Sequence, residues 1–186
     1  MSTTAPTTIA TPETILAFWR EAGPDKWFTR DDAFDADIRE KFLGTYEAAA
    51  AGKLSAWEVT AEGALALAIV LDQFPRNMFR GLARCYAADP LAREVANRAL
   101  KCGYDQDVPE AERGFFFLPF MHSEDMADQK RSVALYREAG DANLSYAERH
   151  ADIVRRFGRF PHRNAVLDRA TTPEEQAYLD AGGFKG

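Results

Sequence analysis

Ala64-Leu65-Ala66-Leu67-Ala68-Ile69-Val70-Leu71 is the longest apolar run of the chain and the stretch that decides its fold. A helix that is apolar on every side is one surrounded by neighbouring elements. Ser55-Ala56-Trp57-Glu58 resembles a capping box and predicts the helix start, and Pro75 predicts an end near Gln73 with Phe74 extended. We therefore place this helix at the centre of a bundle.

Helix-start signals recur along the rest of the chain. Phe34, Ile38, Phe42 and Tyr46 recur every four residues, which is typical of one helical face. Phe115-Phe116-Phe117-Leu118 has strand propensity but no partner strand, so a helix is favoured. Capping residues or first-turn prolines stand at Thr11-Pro12-Glu13, Asp89-Pro90, Pro109-Glu110, Ser123, Asn143 or Ser145, and Thr172-Pro173-Glu174-Glu175. The sequence predicts an all-α fold of about eight helices in antiparallel pairs.

Composition limits the class of protein. The chain has 186 residues, of which 46% are hydrophobic, and this is enough for one all-α domain over residues 11–186 behind a flexible tail at residues 1–10. Its net charge of -6 argues against binding to nucleic acid or to an anionic membrane. No signal peptide or 18-residue apolar span is present, and Cys85 and Cys102 form no motif. We expect a cytoplasmic protein, and a homo-oligomer stays open.

The basic stretch 155–164 is the first candidate site, because it concentrates arginines in an acidic chain. Gly158 is expected to end a helix with positive φ, and Pro161 to fix the following turn. Arg159 and Arg163 can fork onto a carboxylate or phosphate, with His162 and Asn164 as further donors. The alternative interpretation is a structural turn whose side chains bond the helix end.

The second candidate site is at the end of the central helix. Asp72 and Gln73 follow its most apolar part, and Arg76 and Asn77 come directly after Pro75. A buried carboxylate is costly unless it is paired, so we expect an arginine partner for Asp72, either Arg76 or one from 155–163. The site is either a buried salt bridge or a carboxylate poised in a pocket.

The third candidate lies at residues 120–125, with His122 and Glu124 as its polar side chains. Ser123 is expected to cap the helix that follows. The spacing of the histidines matches no ligand signature, so we expect no metal and no cofactor. His150 lies on the apolar face of its helix and is expected to be a core residue.

The acids at 72 and 124 and the arginines at 155–163 are expected to meet in the folded chain. A buried carboxylate needs a cation, and apart from Arg76 the sequence concentrates arginine only in that stretch. The turn at 158–164 is therefore predicted to approach the helix end at 72–77, with His122 nearby.

These stretches resemble the bacterial family named domain of unknown function 924. The resemblance spans about residues 13–184 and implies an all-α fold similar to tetratricopeptide-repeat proteins, with no known activity. Asp168 stands where the family pattern has glycine, which concerns the local turn. The matching segments are 15–19, 27–28 with 34–35, 71–77, 118–125 with Gln129, and 157–164.

Two functional classes follow, beside a purely structural or oligomeric role. The first is a helical binding module for a small anionic ligand or an acidic peptide end, based on the arginine cluster. The second is a hydrolase or transferase that uses His122, His150 or His162 for acid–base chemistry with Asp72 or Glu124 as partner.

Overall fold

A computed structural model describes residues 8–184 and contains only helices and their connections. No strand occurs within this range, which confirms the predicted all-α fold. The α-helices of the described range are α1 (Pro12–Ala22), α2 (Pro24–Trp27), α3 (Asp32–Ala50), α4 (Ala61–Met78), α5 (Asp89–Lys101), α6 (Glu110–Arg113), α7 (Leu118–Met121), α8 (Met126–Glu138), α9 (Leu144–Phe157) and α10 (Pro173–Asp180). Short 3₁₀ helices stand at Ser55–Val59, Ala83–Tyr86, Tyr104–Gln106, Gly114–Phe116 and Pro161–Arg163.

The described residues form two compact units. Residues 8–80 and 84–119 belong to the first unit, and residues 81–83 and 120–184 belong to the second. The expected tail at residues 1–10 falls largely on residues 1–7, which lie outside the described range. At Ala10 the backbone N–H already donates to Thr45 Oγ1 at 2.9 Å, so the chain is tied to the first unit from there.

Helix α4 is the centre of the first unit, as its apolar sequence predicts. It packs against α1, α3 and α5, and the side chains of Leu65 and Val70 are completely buried. Aromatic rings extend this core, since Phe74 lies 5.8 Å from Trp19 and 5.2 Å from Phe42 between ring centroids. A helix that is covered on three sides is expected to be apolar around its circumference, as residues 64–71 are.

The N-terminus of α4 differs from its prediction. Ser55–Val59 forms a separate 3₁₀ helix with no side-chain cap, and α4 begins at Ala61. Its cap is Thr60, an extended residue whose hydroxyl accepts from the N–H of Gly63 at 3.1 Å. Gly63 allows a close approach here, because a Cβ on it would lie 2.0 Å from the carbonyl oxygen of Trp57.

The C-terminus of α4 also corrects the prediction, because the helix continues through Pro75 to Met78 and Phe74 is helical. Proline removes one backbone donor and crowds the preceding turn. The side chain of Arg76 compensates by donating from Nη1 to the carbonyl oxygen of Asp72 at 2.6 Å. The side chain of Phe74, the residue before the proline, is completely buried, which favours the helical conformation at this position.

The second unit is built on α8 packed against α9, followed by the turn at 158–164 and by α10. The cap of α8 is Asp125, whose carboxylate accepts from the N–H groups of Ala127 and Asp128, and not Ser123 as predicted. Ser123 instead accepts from the Asp125 N–H and donates to Asp128, which supports the cap from two residues before it. None of the helices within residues 8–184 combines the length and the apolar character needed to cross a membrane.

Candidate functional site

The candidate residues predicted from the sequence divide between the two units. Those of the first unit are Asp72, Gln73, Arg76 and Asn77, and those of the second unit are His122, Glu124, Arg159, His162, Arg163 and Asn164. The predicted approach of the turn at 158–164 to residues 72–77 involves both units and stays a prediction.

Asp72 and Arg76 form the centre of the polar cluster in the first unit. The Asp72 side chain is 1% exposed, and its Oδ1 lies 3.3 Å from Arg76 Nη1, which confirms an arginine partner. Gln73 donates to the other oxygen, and Arg76 also holds Asp89 through two hydrogen bonds of 3.0 and 3.1 Å. Burial alone would lower the pKa of Arg76, but the two carboxylates outweigh it and raise that pKa above its ordinary value. This cluster is a buried ion pair with internal partners.

Asn77 forms a second hydrogen-bonded contact within the first unit. Its Nδ2 donates to Asp35 Oδ1 at 2.7 Å, and Arg80 donates to both oxygens of the same carboxylate. Asp35 belongs to α3, so these bonds join α3 to the end of α4.

The turn at 158–164 has the predicted backbone. Gly158 ends α9 with φ of 69°, and its N–H donates to Val154 O at 2.7 Å. Phe160 is extended and Pro161 opens a short 3₁₀ helix. A left-handed residue at the helix end suits glycine, because a Cβ would crowd the backbone.

The carboxylate of Glu175 on α10 accepts hydrogen bonds from two of the predicted binding residues. Arg159 donates to both of its carboxylate oxygens, from Nε at 2.6 Å and from Nη2 at 2.8 Å, and Asn164 adds a bond of 3.1 Å. The capping box with Thr172 adds a backbone N–H. The hydrogen bonds from Arg159 are the main reason why the pKa of Glu175 falls to about 2. The sequence marked Glu175 as a capping residue and gave no sign of this second role.

Glu124 is held by Arg169, a residue that the sequence reading missed. Arg169 Nη1 and Nη2 donate to its two oxygens at 2.6 and 3.0 Å, and the N–H of Phe160 donates at 2.7 Å. Although burial would raise it, the pKa of Glu124 is lowered by these donors. Arg159, Asn164 and Glu124 thus fasten the turn to α10 and to the start of α8.

Asp168 lies in the turn that directly precedes Arg169. It has φ of 52°, and among residues 8–184 it is the only non-glycine residue with positive φ. The turn closes with the N–H of Arg169 donating to Asn164 O at 2.9 Å. The position that the family pattern assigns to glycine therefore has the left-handed backbone, and aspartate is accommodated there.

All three histidines of the chain lie in the second unit, and two of them contact Phe160 and Phe184. The rings of His122 and His150 lie 6.4 Å apart, and His150 and His162 lie 5.5 and 5.7 Å from Phe160. Phe184 contacts both His150, at 4.6 Å, and His162, at 5.2 Å. The burial of His150, at 6% exposure, confirms its predicted place in the core.

Two of these imidazoles are neutral at pH 7. Burial lowers the pKa of His150 to about 4 and that of His162 to about 3. The positive charge of Arg163 lowers both pKa values further, and that of Arg149 also lowers the pKa of His150. His150 donates from Nδ1 to Tyr146 O at 2.7 Å, which fixes its tautomer and leaves Nε2 as an acceptor.

Arg163 is the buried cation of this cluster. Its residue is 7% exposed, and its guanidinium carbon lies 4.5 Å from the centroid of the Phe160 ring. Next to it, Nδ1 of His162 is buried without a hydrogen-bond partner in the chain. A buried polar atom of this kind is satisfied in most proteins by water or a ligand. This nitrogen belongs to His162, one of the predicted binding residues.

Among residues 8–184, no group of three or more His, Cys, Asp and Glu side chains is arranged to hold a metal ion. The expectation that folding needs no metal stays a prediction.

A groove of about 300 Å³ is lined by residues of α9 and α10 and by the two glycines that precede Phe184 in the chain. Arg149 and Asp152 of α9 and Tyr178 of α10 line it, together with Gly182 and Gly183.

Comparison with known proteins places the chain in a family. The model of a family described as bacterial protein of unknown function, DUF924, matches residues 15–183. The chain belongs to this family. Its structure is similar to that of a protein of unknown function from Agrobacterium tumefaciens, with 53% identity and a TM-score of 0.90. The match covers 92% of this chain and 97% of that one. A comparison with curated proteins found no match.

Family membership confirms the resemblance seen in the sequence. It brings no activity with it, because the family and the Agrobacterium protein are both described as of unknown function. Likeness to tetratricopeptide-repeat proteins stays a prediction.

Proposed function

We propose that the second unit binds a small anionic ligand, or the carboxylate of an acidic peptide end, at Arg163 with His162 and His122. The observation that carries the proposal is the buried guanidinium of Arg163 beside neutral imidazoles, one of which has an unpartnered buried nitrogen. A buried guanidinium favours carboxylate and phosphate because it presents several donors in one plane.

The electrostatic surroundings of the imidazoles support an anion. The charges with the largest effects on His150 come from His122, Arg163 and Arg149, and all of them lower its pKa. Cations act in the same direction on His162, where Glu124 opposes them. Glu124, which is bonded to Arg169, is the carboxylate that opposes them, so most of the charges that act on the two imidazoles are positive.

Acid–base catalysis is less well supported. A general base works best when its pKa lies near the operating pH. The pKa values of His150 and His162, about 4 and about 3, make both imidazoles weak bases at pH 7. A hydrolase or transferase would need another group, such as His122, as its base.

A thermal-shift and calorimetric screen with phosphate, sulfate, citrate and acetate tests the proposal. Ligands that bind the native state raise the melting temperature, and the rise grows with the ratio of ligand concentration to Kd. We expect binding by the wild type, its loss in Arg163→Gln, and partial retention in Arg163→Lys, which keeps the charge without the fork. Arg155→Gln is the control, because Arg155 is exposed on α9 and pairs with Asp152. No binding by any of these anions, or equal binding by both glutamine variants, would contradict the proposal and indicate a purely structural role for Arg163.

A further inference from the structure

Phe184 fills a slot with aromatic and cationic walls in the second unit. Its ring makes edge-on contacts with His150, at 4.6 Å and 67°, and with His162, at 5.2 Å and 84°. The guanidinium carbon of Arg149 lies 5.3 Å from its centroid. Such edge-to-face and cation–π arrangements are the ones that aromatic rings prefer. The ring of Phe184 therefore lies between polar aromatic and cationic side chains, and it also packs against the apolar cluster of Ile153, Val154 and Phe160.

The segment that carries Phe184 follows helix α10 directly, and the N–H groups of Gly182 and Gly183 still donate to Leu179 O and Tyr178 O. It leaves α10 through Gly182, which has φ of 81°, and Gly183, where a Cβ would lie 2.5 Å from the Tyr178 ring. The Phe184 N–H donates to Tyr178 Oη at 3.0 Å. Two adjacent glycines allow the backbone to change direction, since they tolerate conformations that other residues do not.

The slot adjoins the proposed anion site. His162, one of its walls, precedes Arg163 in the chain, and both His162 and the Arg163 guanidinium pack on the ring of Phe160. The groove of about 300 Å³ reaches the segment from outside, because Gly182 and Gly183 line it together with Tyr178 and Arg149.

From these contacts we infer that the ligand is an aromatic carboxylate, and that Phe184 occupies the subsite of its ring until the ligand displaces it. The inference rests on the proposed function for the carboxylate end, which Arg163 would bind. The ring end shares His162 with that site, but two of its walls, His150 and Arg149, lie outside the proposed anion-binding residues.

Calorimetry on Phe184→Ala with phenylacetate, cyclohexylacetate and acetate tests the inference. With the internal ring removed, we expect phenylacetate to bind the variant roughly tenfold more tightly than it binds the wild type, and more tightly than the other two acids. Cyclohexylacetate is the matched probe, because it fills the same volume without an aromatic edge or face. Phe184→Leu keeps the slot filled and should behave like the wild type.

The outcomes separate this inference from the proposed function. If Phe184→Ala binds acetate and phenylacetate equally, or cyclohexylacetate as tightly as phenylacetate, the aromatic subsite is wrong while anion binding stands. If phenylacetate binding is unaffected by Arg163→Gln, the subsite stands and the anion site is wrong. Should Phe184→Ala fail to fold, a crystal structure of the wild type soaked in phenylacetate decides: a ligand ring between His150 and His162 supports the inference, and Phe184 unmoved overturns it.

Discussion

Arg159 holds Glu175 through two parallel hydrogen bonds, so the residue that the sequence offered as an anion ligand already binds a carboxylate of its own chain. Because this lowers the pKa of Glu175 to about 2, the carboxylate contributes stability that is complete above its ordinary pKa of 4.5. That stability is lost as the pH falls from 4.5 towards 2, where the folded state also takes up the proton.

We expect Arg159→Gln to lower the free energy of unfolding at pH 7 and to raise the pKa of Glu175 towards its ordinary value. Urea denaturation at pH 7, 4.5 and 3 measures both effects, since the difference between wild type and variant should shrink as the pH falls. Arg155→Gln provides the exposed control. A difference that is constant across these pH values contradicts the role given to Glu175.

The buried histidines predict a second, separate pH dependence. Their pKa values are about 4 and about 3 in the folded protein and near 6.5 in the unfolded chain. The unfolded state therefore binds more protons between these values, and stability falls as the pH falls below 6.5. His150→Asn keeps a donor for Tyr146 O but does not titrate, so its stability should fall less between pH 7 and 4.5. Parallel curves for variant and wild type would show that His150 titrates normally.

Leu67→Ala tests the central position of α4. Leu67 is 3% exposed, and truncation of such a core side chain costs about 2–5 kcal/mol of unfolding free energy. Val59→Ala, at a residue that is 75% exposed, is the control and should change stability by less than about 0.5 kcal/mol. Equal effects of the two changes in urea denaturation would contradict the fold.

Asp168→Gly should stabilise the protein. At φ of 52° the Cβ of an aspartate crowds the backbone and costs free energy, whereas glycine adopts this conformation without that steric cost. We expect a gain of up to about 1 kcal/mol, reduced by the greater entropy that glycine has in the unfolded chain. Asp168→Ala, which has the same backbone crowding, should bring no gain. A loss of stability in the glycine variant would mean that the Asp168 side chain supports the turn.

Local signals in the sequence predicted much of the fold. The capping box at Thr172, the cap at Thr11 and the apolar face of α3 concern neighbours within one helical turn, and the structure confirms all three. Pro75 shows the limit of such signals, because burial of Phe74 and the Arg76 side chain offset a local penalty.

The candidate site was less predictable because its pairing depends on residues far apart in sequence. Glu124 meets Arg169 across 45 residues, and Arg159 meets Glu175 across 16. The clustering of arginine and histidine at 159–163 indicated the region, but the partner of Arg159 depends on the packing of α10, which carries Glu175. Phe184 gave no signal, since its contacts with two histidines are purely tertiary.

The most direct test of anion binding at Arg163 is a titration of the three histidine side chains by nuclear magnetic resonance. Three single substitutions assign every signal, because the chain has three histidines. With phosphate or acetate at pH 7, we expect saturable shifts of His162 and His122 that disappear in Arg163→Gln and persist in Arg155→Gln. Histidine signals that do not move with either anion, or that move equally in Arg163→Gln, would contradict the proposed site.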